Sequence, residues 1–147
     1  MNIFQANTEQ LDELAGLFDQ YRVFYQQDSD VEACRSYLAD RLEKNQSIIF
    51  AARSDTGGLV GFTQLYPSFC SVELSPILYL YDLFVDPGAR RSGVARALMD
   101  AAKQHAEDFG ASRLQLETAV TNTQAQALYE DLGWEKDTEF FTYHLAL

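Results

Sequence analysis

The 147-residue chain is poor in cysteine, proline and tryptophan, with two, three and one respectively, and it is short of positive charge. Each scarcity excludes something. Cys34 and Cys70 lie too far apart for a metal-ligand pattern, and His105 and His144 have no ligand spacing either, so no metal is expected and both thiols are expected free. Eleven basic residues against 22 acidic ones leave a net charge of −11, which argues against a nucleic-acid partner and favours cationic ones. No run of about 18 apolar residues exists, and "MNIFQANTEQ" lacks a basic stretch followed by an apolar one. A cytoplasmic protein with no membrane partner is the expectation. Linkers, repeats and low-complexity segments are also lacking, and 47% hydrophobic residues are enough for one domain with a core, residues 1–147.

What is present is an alternation of strand-like and helix-like segments. "NIFQA" opens as a short strand. Leu11, Leu14, Phe18, Tyr21 and Tyr25 then recur at helical spacing behind Thr8 as an N-cap, and "QQDSD" ends the pattern. A second helix is predicted over Val31 to Lys44. "SIIFAAR" and "LVGFTQLY" read as strands joined by the hairpin turn "DTGG", and "ILYLYDLFV" as a central strand stopped by "DPG". From about Gly93 to Phe109 a helix buries Val94, Leu98, Ala101, Ala102 and Phe109, with Gly110 closing it. "RLQLETA" reads as a strand. Asn122 caps a last helix whose apolar face is Ala125, Leu128, Tyr129 and Leu132, and the alternating tail "FFTYHLAL" reads as a final strand. The class is mixed α/β.

The stretch "VDPGARRSGVARAL" concentrates cations in an acidic chain, where a strand gives way to a helix. Unpartnered amides and roughly half a positive charge at a helix N-terminus suit a phosphate. Gly93 and Ala95 keep the first turn open, and Arg90, Arg91 and Arg96 add a local positive field. The competing reading is a tight connection beside a solvated arginine cluster. On the stretch alone the two are balanced, since short glycine motifs have many false positives.

Arg90-Arg91-Ser92-Gly93-Val94-Ala95 resembles the acetyl-coenzyme A signature of the GNAT acetyltransferase superfamily, Arg or Gln, two residues, Gly, one residue, Gly or Ala. "LYDLFVDP" before it and "NTQAQALYEDLGW" after it are similar to the family's segments in order and separation. The resemblance implies a GNAT-type α/β fold: a mixed central sheet with splayed parallel strands, flanked by helices. It implies that backbone groups of Leu83, Phe84 and Val85 bind the pantetheine arm of acetyl-coenzyme A, and that amides from Arg91 through Arg96 hold the pyrophosphate. Asn122 would touch the coenzyme near the pantetheine, alongside its capping role. Tyr129 would lie at the thioester sulfur and return a proton to it, although its helical phase also suits a core aromatic.

An alkylamine with a pKa near ~10.4 is almost wholly protonated at neutral pH, so acyl transfer to it benefits from a base. "ILYLYDLFV" resembles the corresponding strand of spermidine/spermine acetyltransferases, but Tyr81 stands where they carry a glutamate implicated in proton removal. Asp82 and Glu117 are the nearby carboxylates; alternation along the strand points Asp82 opposite to Tyr81 unless a bulge intervenes, and the base stays unassigned. Acceptor binding is expected around "YRVFYQQDSD", with Tyr25, Asp28 and Tyr81 as candidates, because aromatics beside carboxylates hold cationic amines. The expected function is acetyl-coenzyme A-dependent N-acetyl transfer to a primary amine of a small molecule such as an amino acid or polyamine. Acetylation of protein lysines or N-termini is the alternative, and a non-catalytic acyl-coenzyme A sensor the alternative of another class. The apolar tail, an exposed edge if unpaired, points to a homodimer.

Overall fold

The computed structural model describes all 147 residues. The chain falls into two compact units, Met1–Leu116 and Glu117–Leu147. The first holds a five-stranded sheet in sequential order: β1 (Asn2–Gln5), β2 (Ile48–Arg53), β3 (Leu59–Cys70), β4 (Ser75–Val85) and β5 (Leu114–Gln115). Neighbours are antiparallel except β4 and β5, which are parallel and joined through a helix, as a parallel pair requires. Helices α1 (Leu11–Phe24) and α2 (Val31–Glu43) lie between β1 and β2 in the chain, and α3 (Val94–Phe109) between β4 and β5.

The period of two along the strands sorts the core onto two faces. Ile49, Ala51, Phe62 and Phe84 pack with Leu14, Leu17, Phe18 and Leu38 of α1 and α2. Ala52, Leu83 and Val85 pack with Val94 and Leu98 of α3. A side chain such as Phe62, fully enclosed here, contributes roughly 1.5–3 kcal/mol. Gly61 is essential to the second face. A Cβ there would stand 3.0 Å from the Phe84 carbonyl oxygen, 3.1 Å from Val94 Cγ1 and 3.3 Å from Leu98 Cδ1. The missing side chain is what lets α3 sit against β3.

Local chemistry explains the element ends. Asn7 caps a short 3-10 turn, Thr8–Gln10, ahead of α1, so the cap lies one residue before the expected Thr8. Asp30 caps α2, and its own amide donates to Asp19 Oδ1 at 2.7 Å. β3 runs past Pro67 because β2 pairing ends at Ile48↔Leu65, which leaves one edge of β3 free for a residue without an N–H. In α3 the buried stripe is Val94, Leu98, Met99, Ala102 and Ala106. Phe109, expected inside, is exposed, because the stripe has rotated away by the last turn.

The second unit holds α4 (Thr123–Asp131), capped by Asn122, whose Oδ1 accepts from the Ala125 amide at 3.3 Å. Two strand expectations are corrected. "RLQLETA" contributes only Leu114–Gln115 to the sheet, and "FFTYHLAL" forms no strand. Alternation supplies a strand's period but not its partner, and the tail has none: Phe140, Phe141, Tyr143 and Leu145 are all exposed. No helix is long and apolar enough to cross a membrane.

Candidate active site

Two features of the first unit meet at the C-terminal end of β4. The first is an open strand edge. β5 pairs with β4 only at Leu78↔Leu114 and Tyr79↔Gln115, so β4 continues from Leu80 to Val85 with β3 as its single neighbour. This is the splay expected of the two parallel strands. The register also shifts: Gln64 pairs with Asp82 but Leu65 pairs with Leu80, which makes Tyr81 the extra residue of a bulge. The amides of Leu78 and Ser112 bridge β4 to the β5 side before the bulge, while beyond it the Asp86 amide donates to the Val60 carbonyl on the β3 side. Antiparallel pairs alternate in hydrogen bonding, so Phe84 turns its backbone groups to Phe62, whereas Leu83 and Val85 turn theirs to the open edge.

The second feature is the start of α3. Its N-cap, Gly93, is left-handed with φ 83°, and no side chain caps the helix. Arg91 is left-handed too, at φ 60°. A Cβ on Gly93 would meet no atom within 4 Å, so its glycine character answers to backbone conformation rather than to crowding by the protein. Val94 is buried, Ala95 is half-buried, and Arg91, Ser92 and Gly93 are exposed. Arg90 and Arg96 also lie at the surface, but Arg90 is not a free cation. Its Nε donates to the Val85 carbonyl at 3.0 Å, and its guanidinium lies over the Phe24 and Phe84 rings at 5.9 and 5.8 Å. An uncapped helix start and an open strand edge suit a ligand with phosphates at one end and a chain of amides at the other.

The opposite face of β4 carries a different set of side chains. Tyr81, 65% exposed, sets its ring tilted against that of Tyr66, centroids 5.3 Å apart, and the Tyr66 hydroxyl is 2.8 Å from that of Tyr37. Arg41 lies over the Tyr37 ring at 4.9 Å. Tyr21 contacts Tyr25, Phe62 and Phe84 edge-on, at 5.0, 5.9 and 6.1 Å. Beneath this aromatic layer Asp82, only 5% exposed, accepts from Gln64 Nε2 at 2.8 Å and lies beside the Tyr21 phenol. Burial pushes the Asp82 carboxyl up, and Gln64 and the neighbouring Tyr21 phenol hold it back. The Tyr21 phenol is raised far above its ordinary value by burial and by the adjacent Asp82 charge, and Tyr66 likewise by burial and its bond to Tyr37. The bulge at Tyr81 therefore overrides simple alternation and turns both residues toward the α1–α2 side.

Of the expected acceptor residues, Tyr25 and Tyr81 join this cluster. Asp28 does not; it is exposed, and its carbonyl takes Arg22 Nη1 at 3.4 Å. Asp19 organises the loop instead, accepting from Ser29 Oγ and the Asp30 amide, both at 2.7 Å, and those bonds hold its carboxyl below the usual range. Tyr37, Gln64 and Tyr66 were missed from sequence, although Phe62, Gln64 and Tyr66 share one face of β3 and a glutamine inside an apolar strand is a signal. In the second unit, the Tyr129 ring lies 6.2 Å from that of Trp134, and its carbonyl accepts from the Trp134 amide at 2.9 Å.

The model of the Acetyltransferase (GNAT) family matches residues 11–134. The chain belongs to that family. This acetyltransferase is 46% identical over 145 residues, 99% of its length and 97% of the relative's, to the uncharacterized N-acetyltransferase YhfO of Bacillus subtilis (strain 168). It is 28% identical over 151 residues, 97% of each chain, to an aminoglycoside N(6')-acetyltransferase type 1 of Salmonella typhimurium (strain LT2). A crystal structure of a probable acetyltransferase superposes with a TM-score of 0.94 at 43% identity, covering 100% of this chain and 98% of that one. The fold is thus that of GNAT acetyltransferases, the protein is an acetyl-transferring enzyme, and its family uses acetyl-coenzyme A.

Proposed function

We propose that this GNAT enzyme is, as one domain, an N-acetyltransferase that moves the acetyl group of acetyl-coenzyme A to a primary amine of a small molecule in the cytoplasm. The observation that carries the reading is the pairing of an open β4 edge with an uncapped, left-handed entry into α3. Leu83 and Val85 offer backbone groups to the pantetheine, with Phe84 beside them, and the amides from Arg91 to Arg96 take the pyrophosphate. When bound, the coenzyme supplies an activated acetyl thioester. Asn122 is assigned to the coenzyme and Tyr129 to protonating the departing sulfur, both on the resemblance of "NTQAQALYEDLGW" to the family segment.

A small amine is favoured as acceptor over a protein by two features. The aromatic cluster of Tyr21, Tyr25, Tyr66 and Tyr81 with buried Asp82 has the chemistry that holds an ammonium, and a relative of the same length is named for aminoglycosides. A homodimer is supported by the uncovered apolar tail. Calorimetry with acetyl-coenzyme A, followed by mass spectrometry of a reaction with pooled amines and peptides, tests the reading. Micromolar binding and acetylated small amines are expected. Binding with no transfer would leave a sensor, and transfer only to peptides would favour the protein acetyltransferase. Tyr129→Phe is expected to retain coenzyme binding and lower turnover about ten-fold or more, and unchanged turnover would remove the phenol from the chemistry.

A further inference from the structure

Asp82 is a buried carboxylate with no cation against it. The groups facing it are the phenols of Tyr21 and, further out, Tyr25 from α1, Gln64 and Tyr66 from β3, and Tyr81 from its own strand; Tyr37 and Arg41 of α2 reach it only through Tyr66. A structural carboxylate in such a place is normally matched by an arginine or by several amides, because an unpaired buried charge is costly. Here the matching is incomplete in a specific way. Gln64 gives its Nε2 to Asp82, while its Oε1 is buried and has no partner. Half a turn of the amide would place Oε1 where Nε2 now stands. In that orientation it accepts a hydrogen bond from a protonated Asp82. The same glutamine can therefore serve the carboxylate and the carboxylic acid. The Tyr21 phenol, half-buried, stands beside Asp82 and its ring meets Tyr25 at 5.0 Å, so its hydroxyl is the route from the enclosed carboxylate toward the aromatic cluster.

We propose that Asp82 is the proton acceptor of the transfer reaction, reached through the hydroxyl of Tyr21, with Gln64 as the positioning residue that accommodates both of its protonation states. The inference rests on the acetyltransferase reading above. One proton of the acceptor's ammonium passes to the Tyr21 oxygen as the Tyr21 hydroxyl proton passes to an Asp82 oxygen. The nitrogen, now neutral, bonds to the acetyl carbon. The carbon–sulfur bond breaks, its electron pair leaves with sulfur, and the nitrogen's second proton ends on that sulfur. Asp82 returns its proton to solvent by the same path between turnovers. Amide, thiol and one released proton account for every atom and charge. The Tyr21 phenol never ionises in this scheme, which agrees with its strongly raised pKa.

Asp82→Asn is the informative variant because it keeps the side chain's shape and removes its charge. Its oxygen faces the Tyr21 phenol, and its NH2 donates to Gln64 Oε1 once that amide has made its half turn. With a primary alkylamine acceptor of pKa near ~10.4, kcat/KM at pH 7 is expected to fall about 100-fold. With an α-amino amide, whose amine titrates near ~8 and is mostly neutral at pH 8.5, the loss at that pH is expected to be under about 3-fold. Acetyl-coenzyme A affinity should not change. A melting series supplies a readout that needs no acceptor. Ionised Asp82 destabilises the fold as pH rises through its raised pKa, so the Asn variant should gain in Tm relative to wild type between pH 4 and pH 7. Equal losses on both acceptors, or unchanged kcat/KM on the alkylamine, or a Tm lowered throughout, would overturn the proposal. If Asp82→Asn does not fold, Tyr21→Phe carries the same acceptor contrast at about ten-fold, and an equal loss on both amines would again reject it. Wild-type protein that binds coenzyme but acetylates no amine would reject the acetyltransferase reading itself, which the melting series distinguishes.

Discussion

The two halves of β4 share one strand and behave differently. From Ser75 to Leu80 it is held by β3 along one edge and by β5 at Leu78 and Tyr79 on the other, and Ile77, Leu78 and Leu80 are buried. From Tyr81 to Val85 only β3 remains, a residue is inserted, and the side chains become a phenol at the surface and a carboxylate beneath it. Completed hydrogen bonding and apolar enclosure make the first half a structural element. Incomplete pairing and polar burial make the second half a place for a ligand to finish. Active-site groups of α/β enzymes commonly stand beyond the carboxyl ends of strands, and the bulge shows how a single extra residue produces that change of character.

This contrast can be broken at several points. Leu78→Ala should have the largest effect on stability, about 2–5 kcal/mol in chemical denaturation, with kcat/KM per folded molecule unaltered; a selective loss of activity would mean that the first half also serves the site. Gly93→Ala forces a Cβ onto a left-handed backbone at roughly 1–2 kcal/mol. Calorimetry should show acetyl-coenzyme A binding weakened about ten-fold, and an unchanged affinity would detach the anion from this helix start. Tyr81→Ala should leave stability within about 0.5 kcal/mol while raising KM for an amine acceptor about five-fold, the loss of one cation–ring contact of about 1 kcal/mol. An unaltered KM would return Tyr81 to the plain surface. The smallest effect concerns acid stability. The Asp19 carboxyl is depressed in the fold, so its contribution is present above the unfolded value near ~3.9 and is lost as pH falls through the folded one. Asp19→Asn should therefore narrow its Tm gap from wild type on acidification below about pH 4, and a constant gap would show that hydrogen-bond geometry alone matters.

Much of this was legible in the chain. Periodicity located α1, α2 and α3, and the caps Asn122 and Gly110 follow from side-chain and backbone preferences that act over four residues. The strand ending in "DPG" and the glycine before Val94 located the end of β4 and the uncapped start of α3. What could not be read is whatever depends on a partner distant in sequence. Nothing near Tyr81 announces a bulge, because it is a mismatch between β3 and β4, and without it Asp82 and Tyr81 point apart. Gln64 and Tyr66 acquire meaning only from that register. Gly61 likewise has its reason far away in the chain, in the Phe84, Val94 and Leu98 atoms that crowd it. The tail failed in the other direction: its pattern was clear, but a pattern cannot supply the neighbouring strand that gives it hydrogen bonds.

Arg90 has a mechanical consequence. By gripping the last carbonyl of β4 and lying over Phe24 and Phe84, it rivets the turn that precedes α3 to the strand end and to α1. The start of α3 and the open edge of β4 thereby become a single stiff part, and a force applied at one is felt at the other.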